Sequence, residues 1–136
     1  MSTRNFEALF NPQSVALFGA SNRPRSVGAT VMRNLLAGGF AGPILPVNPK
    51  HKAVAGVLAY PDVASLPLTP DLAVICTPPR TVPGLIAELG ARGARAAVVI
   101  TAGLDQETGP QGQTLQQATL AAARSHGVRL LGPNCV

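Results

Sequence analysis

The residues with chemistry to offer stand in two short stretches, Gly19-Ala20-Ser21-Asn22-Arg23 and Asn48-Pro49-Lys50-His51-Lys52. In the first, a hydroxyl, an amide and a guanidinium follow a glycine; in the second, three basic side chains stand together. Such groups bind anions. A glycine lets backbone come close to a phosphate, Ser and Asn donate hydrogen bonds to it, and cations neutralise it. Each stretch directly follows an apolar run, Val15-Ala16-Leu17-Phe18 and Ile44-Leu45-Pro46-Val47. The first is also followed by a helical pattern opening at Val27, with Ser26 placed to cap it. Strand, tight turn and helix N-terminus, in that order, collect a phosphate on free backbone N–H groups.

The details depart from a nicotinamide-binding fold. Gly-x-Gly-x-x-Gly is missing at the turn, and no acid stands about twenty residues on to hold a ribose hydroxyl. The second run leads instead through Val47, Asn48 and Pro49 into the cations of Lys50, His51 and Lys52. That strand end meets the adenosine ribose in nucleotide folds, and a cation there neutralises a phosphate. The expected ligand carries a pyrophosphate and an extra ribose phosphate. Coenzyme A suits this better than NAD, although the cationic loop alone does not separate coenzyme A from NADP.

The elements that must position these groups are legible as an alternation. Further strands are expected at Leu72–Cys76, Ala97–Ile100 and Val128–Leu131, mostly continuous apolar runs of the kind buried on both faces of a parallel sheet. One helix carries Val27, Val31 and Leu35 beside Met32 and Leu36, and stops at Gly38-Gly39. A second carries Val82, Leu85, Ile86 and Leu89, with Pro83 in its first turn. A third runs from about Gln111 to His126, with Leu115, Ala118 and Ala122 inward. Between Val47 and Leu72 only a short helix from Tyr60-Pro61-Asp62 through Ser65 is expected. The pattern predicts one α/β domain over residues 1–136, with a Rossmann-like, doubly wound, mainly parallel five-stranded sheet and helices on both faces.

In such sheets the ligand lies at the carboxyl ends of the strands. Three more loops fall there. Thr77-Pro78-Pro79-Arg80 forms a rigid apolar ledge for an adenine or a pantetheine arm, or simply a helix entry. Thr101-Ala102-Gly103, after Ile100, is small and open, and Gly132 to Cys135 closes the set.

Several classes of function fit poorly. The net charge of +5 invites nucleic acid, but nine arginines are scattered singly and aromatics are 4% of residues, so no stacking platform is expected. No apolar run is long enough for a membrane helix, and the N-terminus lacks the apolar centre of a secretion signal, so a cytoplasmic protein is expected. Cys76 and Cys135 have no zinc spacing, and Cys76 reads as a small core residue. His51 and His126 assemble neither a metal set nor a Ser–His–acid triad. No catalytic residue is assigned; the chain reads as a cradle.

Five stretches carry a family resemblance: Ser14 to Ser21, Pro46 to Lys50, Asp71 to Ile75, Val99 to Gly103, and Leu131 to Cys135. Across nearly the whole chain, in order, it resembles the coenzyme A-binding domain of the NDP-forming acyl-CoA synthetases. More distantly it is similar to the N-terminal domain of the succinyl-CoA synthetase α subunit. The resemblance implies that Gly19, Ala20, Ser21 and Asn22 hold the coenzyme's phosphates and that Lys50 lies near its adenosine phosphate. Thr77 and Pro78 would flank the coenzyme, Ile100, Thr101 and Ala102 would line the pantetheine path, and Asn134 and Cys135 would approach the thiol. In that family the phosphohistidine lies in a following domain, so the resemblance also implies downstream ligase domains in a larger parent. A protein acetyltransferase with such a regulatory part, an NADP-dependent oxidoreductase domain and a free-standing coenzyme A or acyl-CoA sensor stay open at this point.

Overall fold

A computed structural model describes residues 6–109 and 112–132 of the 136-residue chain. Its main sheet holds β1 (Val15–Phe18), β2 (Ile44–Val47), β5 (Leu72–Ile75), β6 (Ala96–Val99) and β7 (Arg129–Leu131). They lie in the order β2-β1-β5-β6-β7, and every pairing is parallel. The expected doubly wound sheet is present. β1 and β5 are buried at all four positions, which is why they read as unbroken apolar runs. β2 is an edge strand, and Pro46 sits there without breaking the ladder.

Helix α2 (Val27–Ala37) covers one face, with Met32 in a core shared with Val15, Leu17 and Val74. Helices α3 (Val82–Arg92) and α4 (Leu115–His126) pack together over the other face, around Ile75, Ile86, Leu89 and Ala123. They approach closely at Gly90, where an added Cβ would lie 2.3 Å from the His126 Cβ. The loop from Tyr60 to Pro70 takes the place of a crossover helix. It drives Val63 and Leu66 into the α3–α4 core, and the Arg92 guanidinium donates to the carbonyls of both.

The structure corrects several expectations. No helix forms at Tyr60–Ser65; the Asp62 carboxylate instead accepts the Ser65 N–H at 2.9 Å and its hydroxyl at 2.7 Å, which closes a turn. α4 begins at Leu115, where Thr114 and Gln117 form a capping box, and Gln111 lies outside the described residues. Its fully buried residues are Leu115, Thr119 and Ala123; of the expected inward residues, Ala122 packs half-buried against the same core, and Ala118 is only half-buried. Thr119 is tolerated there because its hydroxyl donates back to the Leu115 carbonyl at 2.7 Å.

A short helix and a hairpin were not expected. α1 (Phe6–Phe10) buries Ala8 and Leu9 and packs on β6, and its five residues are too few to show a period. β3 (Ala53–Val54) and β4 (Val57–Leu58) form a hairpin whose turn places Ala55 at φ 51° and Gly56 at φ 80°. Alanine is an unusual choice where both turn residues need positive φ, so the Asn-Gly signal of such hairpins is missing.

Candidate functional site

β1 leads to α2 on one face and β5 leads to α3 on the other, so the connections part between these neighbouring strands. Such a switch point opens a crevice at the strand ends. Here a cleft of about 990 Å³ lies at the C-terminal ends of β1, β2 and β5. Phe18, Val47 and Val63 give it a buried apolar floor. Ser26, Val27 and Gly28 at the start of α2 line it, as do Thr81, Gly84, Leu85 and Glu88 of the α3 segment. Arg23, Lys50 and Arg80 supply positive charge.

Two glycines bring the α2 end of the cleft together. Gly19 has φ +88°, and an added Cβ would lie 2.8 Å from the Cys76 carbonyl oxygen. At Gly28 an added Cβ would lie 1.9 Å from the Gly19 carbonyl oxygen. The first turn of α2 therefore rests on the β1 turn itself, and its N-terminus faces the cleft. Ser26 caps that helix, accepting the Ala29 N–H at 3.1 Å.

Of the residues singled out from the sequence, Gly19, Ala20, Ser21, Arg23, Val47, Asn48, Pro49, Lys50, Thr77 and Pro78 line this cleft. Asn22, Ile100, Thr101 and Ala102 are not among the lining residues, and Asn134 lies outside the described residues. Asn22 is engaged elsewhere. Its Nδ2 donates to the Ala53 carbonyl at 2.9 Å and its Oδ1 accepts the Ala55 N–H at 3.0 Å, which steadies the strained hairpin turn. Asn48 is similarly occupied: Nδ2 donates to the Ala20 carbonyl at 2.9 Å, and Oδ1 accepts the N–H groups of Lys50 at 2.7 Å and His51 at 3.0 Å. Thr101 lies beneath the third loop, donating to the Thr77 carbonyl at 2.7 Å. The Ser21 Oγ accepts the Arg23 N–H at 2.9 Å, and its own proton stays available to a ligand.

Sequence reasoning missed the α3 wall. Thr81, Gly84, Leu85 and Glu88 stand at helical spacing, and this stripe was readable; the core spacing of Val82, Ile86 and Leu89 concealed it. Val27 was assigned to the core face of α2 and is instead 55% exposed, at the cleft mouth. Gly28 carried a faint signal as the second glycine after the β1 turn.

Electrostatically the cleft is mixed. Arg80 is mostly exposed and pairs with Glu107 at 3.4 Å. The Ser65 hydroxyl, and then its N–H, hold the Asp62 carboxyl below the usual carboxylate range. Burial pushes the Cys76 thiol up to about 11, so at neutral pH it lines the cleft as a small neutral group. Among the described residues, no three His, Cys, Asp or Glu side chains gather as metal ligands, and no helix is long and apolar enough to cross a membrane. A basic rim, a helix N-terminus and an apolar floor suit a nucleotide with several phosphates and a long apolar-compatible arm.

The family model described as CoA binding domain matches residues 13–136. The chain belongs to that family. Coenzyme A is the cofactor of this CoA-binding domain. The domain is 41% identical over 130 residues to acetate–CoA ligase (ADP-forming) I of Archaeoglobus fulgidus, covering 96% of this chain and 18% of that protein. It is 38% identical over 134 residues to the α subunit of acetate–CoA ligase (ADP-forming) I of Pyrococcus furiosus, covering 96% of this chain and 29% of that subunit. The chain thus spans less than a third of these curated relatives. A solved acetyl-coenzyme A synthetase 1 of Ca. Korarchaeum cryptofilum, described as dinucleotide forming and in complex with phosphate and ADP, matches at TM-score 0.85 and 40% identity. That match covers 95% of this chain and 27% of the other.

Proposed function

We propose that this domain is the coenzyme A seat of an NDP-forming acyl-CoA synthetase, a ligase that joins an acid to a thiol. The observation that carries the reading is the meeting of Arg23, Lys50 and the α2 N-terminus around one cleft at the sheet's switch point. In this reading Ser21, Arg23 and the start of α2 hold the pyrophosphate, above Gly19 and Ala20. Lys50 takes the extra ribose phosphate. Val47, Pro49, Thr77 and Pro78 flank the adenosine, while Asn22 and Asn48 keep the loops in shape. The pantetheine arm runs toward Ile100, Thr101 and Ala102, and its thiol reaches downstream ligase domains of the parent protein. The domain binds coenzyme A or acyl-CoA and does not turn over alone. A cytoplasmic setting, with neither nucleic acid nor membrane as partner, goes with this role.

Calorimetric titration with coenzyme A, dephospho-coenzyme A, NADPH and NADH tests it. Coenzyme A should bind tightest. Loss of the ribose phosphate should weaken binding about tenfold, the value of one charge-assisted contact. Lys50→Ala should weaken coenzyme A to the level of the dephospho form and leave that form nearly unchanged. Tighter binding of NADPH, with no response to coenzyme A, overturns the proposal.

A further inference from the structure

α3 carries a glycine that its own packing does not require. Gly84 stands in the helix, exposed, two residues after its start, directly behind Pro83. Glycine is among the poorest helix formers, and inside a helix it costs about 1 kcal/mol relative to alanine. An added Cβ at Gly84 would meet no atom of the described chain within 4 Å, whereas at Gly28 and Gly90 it would collide with neighbouring atoms. No contact within the described protein therefore explains the missing side chain. The open space beside it belongs to the cleft that also holds Lys50, Pro78 and Leu85.

We infer that Gly84 is a specificity-determining residue that leaves a flat seat for the adenine ring of the bound coenzyme against α3. The inference rests on the coenzyme A reading. Three features favour the base over the pantetheine arm. Leu85, next to Gly84 in α3, and Pro78 line the same cleft, and their apolar side chains suit the face of an aromatic ring. It shares the cleft with Lys50 at the β2 end, where the adenosine phosphate is placed. And a planar ring needs a gap without a Cβ, whereas a flexible arm can bend around one.

The test uses the 136-residue chain with Gly84→Ala and Gly84→Leu, titrated with adenosine 3′,5′-bisphosphate, which lacks the arm, and with 4′-phosphopantetheine, which lacks the base. Gly84→Ala should raise Tm by roughly 1–3 °C, because the helix gains and nothing is displaced. Gly84→Leu should stay folded by circular dichroism and lose at least about tenfold in affinity for the bisphosphate. Its affinity for 4′-phosphopantetheine should change by less than about twofold. Wild-type-like bisphosphate binding by folded Gly84→Leu overturns the inference, as does a loss confined to 4′-phosphopantetheine, which would put the arm at this seat. Wild-type binding of coenzyme A is the control; its absence sinks the coenzyme reading itself, so the two failures are distinguishable.

Discussion

On the β1–β2 side of the cleft the loops are rich in polar side chains, yet much of that polarity is turned on the protein's own backbone. Asn22 holds the Ala53–Ala55 turn, and Asn48 ties the Ala20 carbonyl to the Lys50 and His51 amides. On the α3 side the lining beyond Arg80 is plainer, with Thr81, Gly84, Leu85 and one carboxylate, Glu88. The first side must hold the shape of irregular loops, whose backbone groups have no helix or sheet partners and take them from side chains. The second is a helix whose backbone is already satisfied, so its side chains are free to be shaped by what lies against them. A polar residue in a binding loop is thus as often mortar as ligand, and a bland helix face can be the recognition surface.

Mutations can separate the two kinds of wall. The largest effect is expected at Gly28, where the clash is with a backbone carbonyl and no rotamer relieves it. Gly28→Ala should cost about 3 kcal/mol and lower Tm by roughly 10 °C in thermal unfolding. An unchanged Tm would mean that α2 does not rest on the β1 turn. Alkylation of Cys76 by iodoacetamide, followed on its peptide by mass spectrometry, should run about 100-fold slower near pH 7.5 than for an exposed thiol, because its thiolate is depleted. The rate should keep climbing past pH 9 toward about 11; a plateau near 9 would refute the burial.

Next comes Asn48→Ala, which removes one hydrogen bond to the β1 loop and two within its own turn. It should cost about 2 kcal/mol in denaturant unfolding and weaken coenzyme A binding as well. Asn22→Ala should cost about 1 kcal/mol, mainly by releasing the hairpin, with affinity changed less than about threefold. Equal losses of affinity in the two variants would erase the distinction between them. The smallest effect is expected for Glu107→Gln, which breaks an exposed pair with Arg80. Stability should move by no more than about 0.5 kcal/mol, and a larger change in Tm would show the pair to be structural.

The centre of the sheet was readable because β1 and β5 are buried along their whole length and therefore apolar without interruption. Gly38 marked the end of α2 for an equally local reason. α1 escaped because five residues show no period, and the hairpin because Ala55 takes a conformation its type does not advertise. Thr119 was left out of the α4 core face because it looks polar in sequence and hides its hydroxyl on the Leu115 carbonyl.

The strand–turn–helix from Val15 to Ala37 and the cations after β2 were legible from residue order, because they depend on neighbours a few positions apart. Which polar groups face a ligand was not, because that is decided by pairs far apart in the chain. Asn48 meets Ala20, Asn22 meets Ala53, and Thr101 meets Thr77 only once parallel strands bring their C-terminal ends level. The α3 wall joins the β1 and β2 loops for the same reason: the order β2-β1-β5 sets three loops side by side that the sequence separates by about thirty residues each.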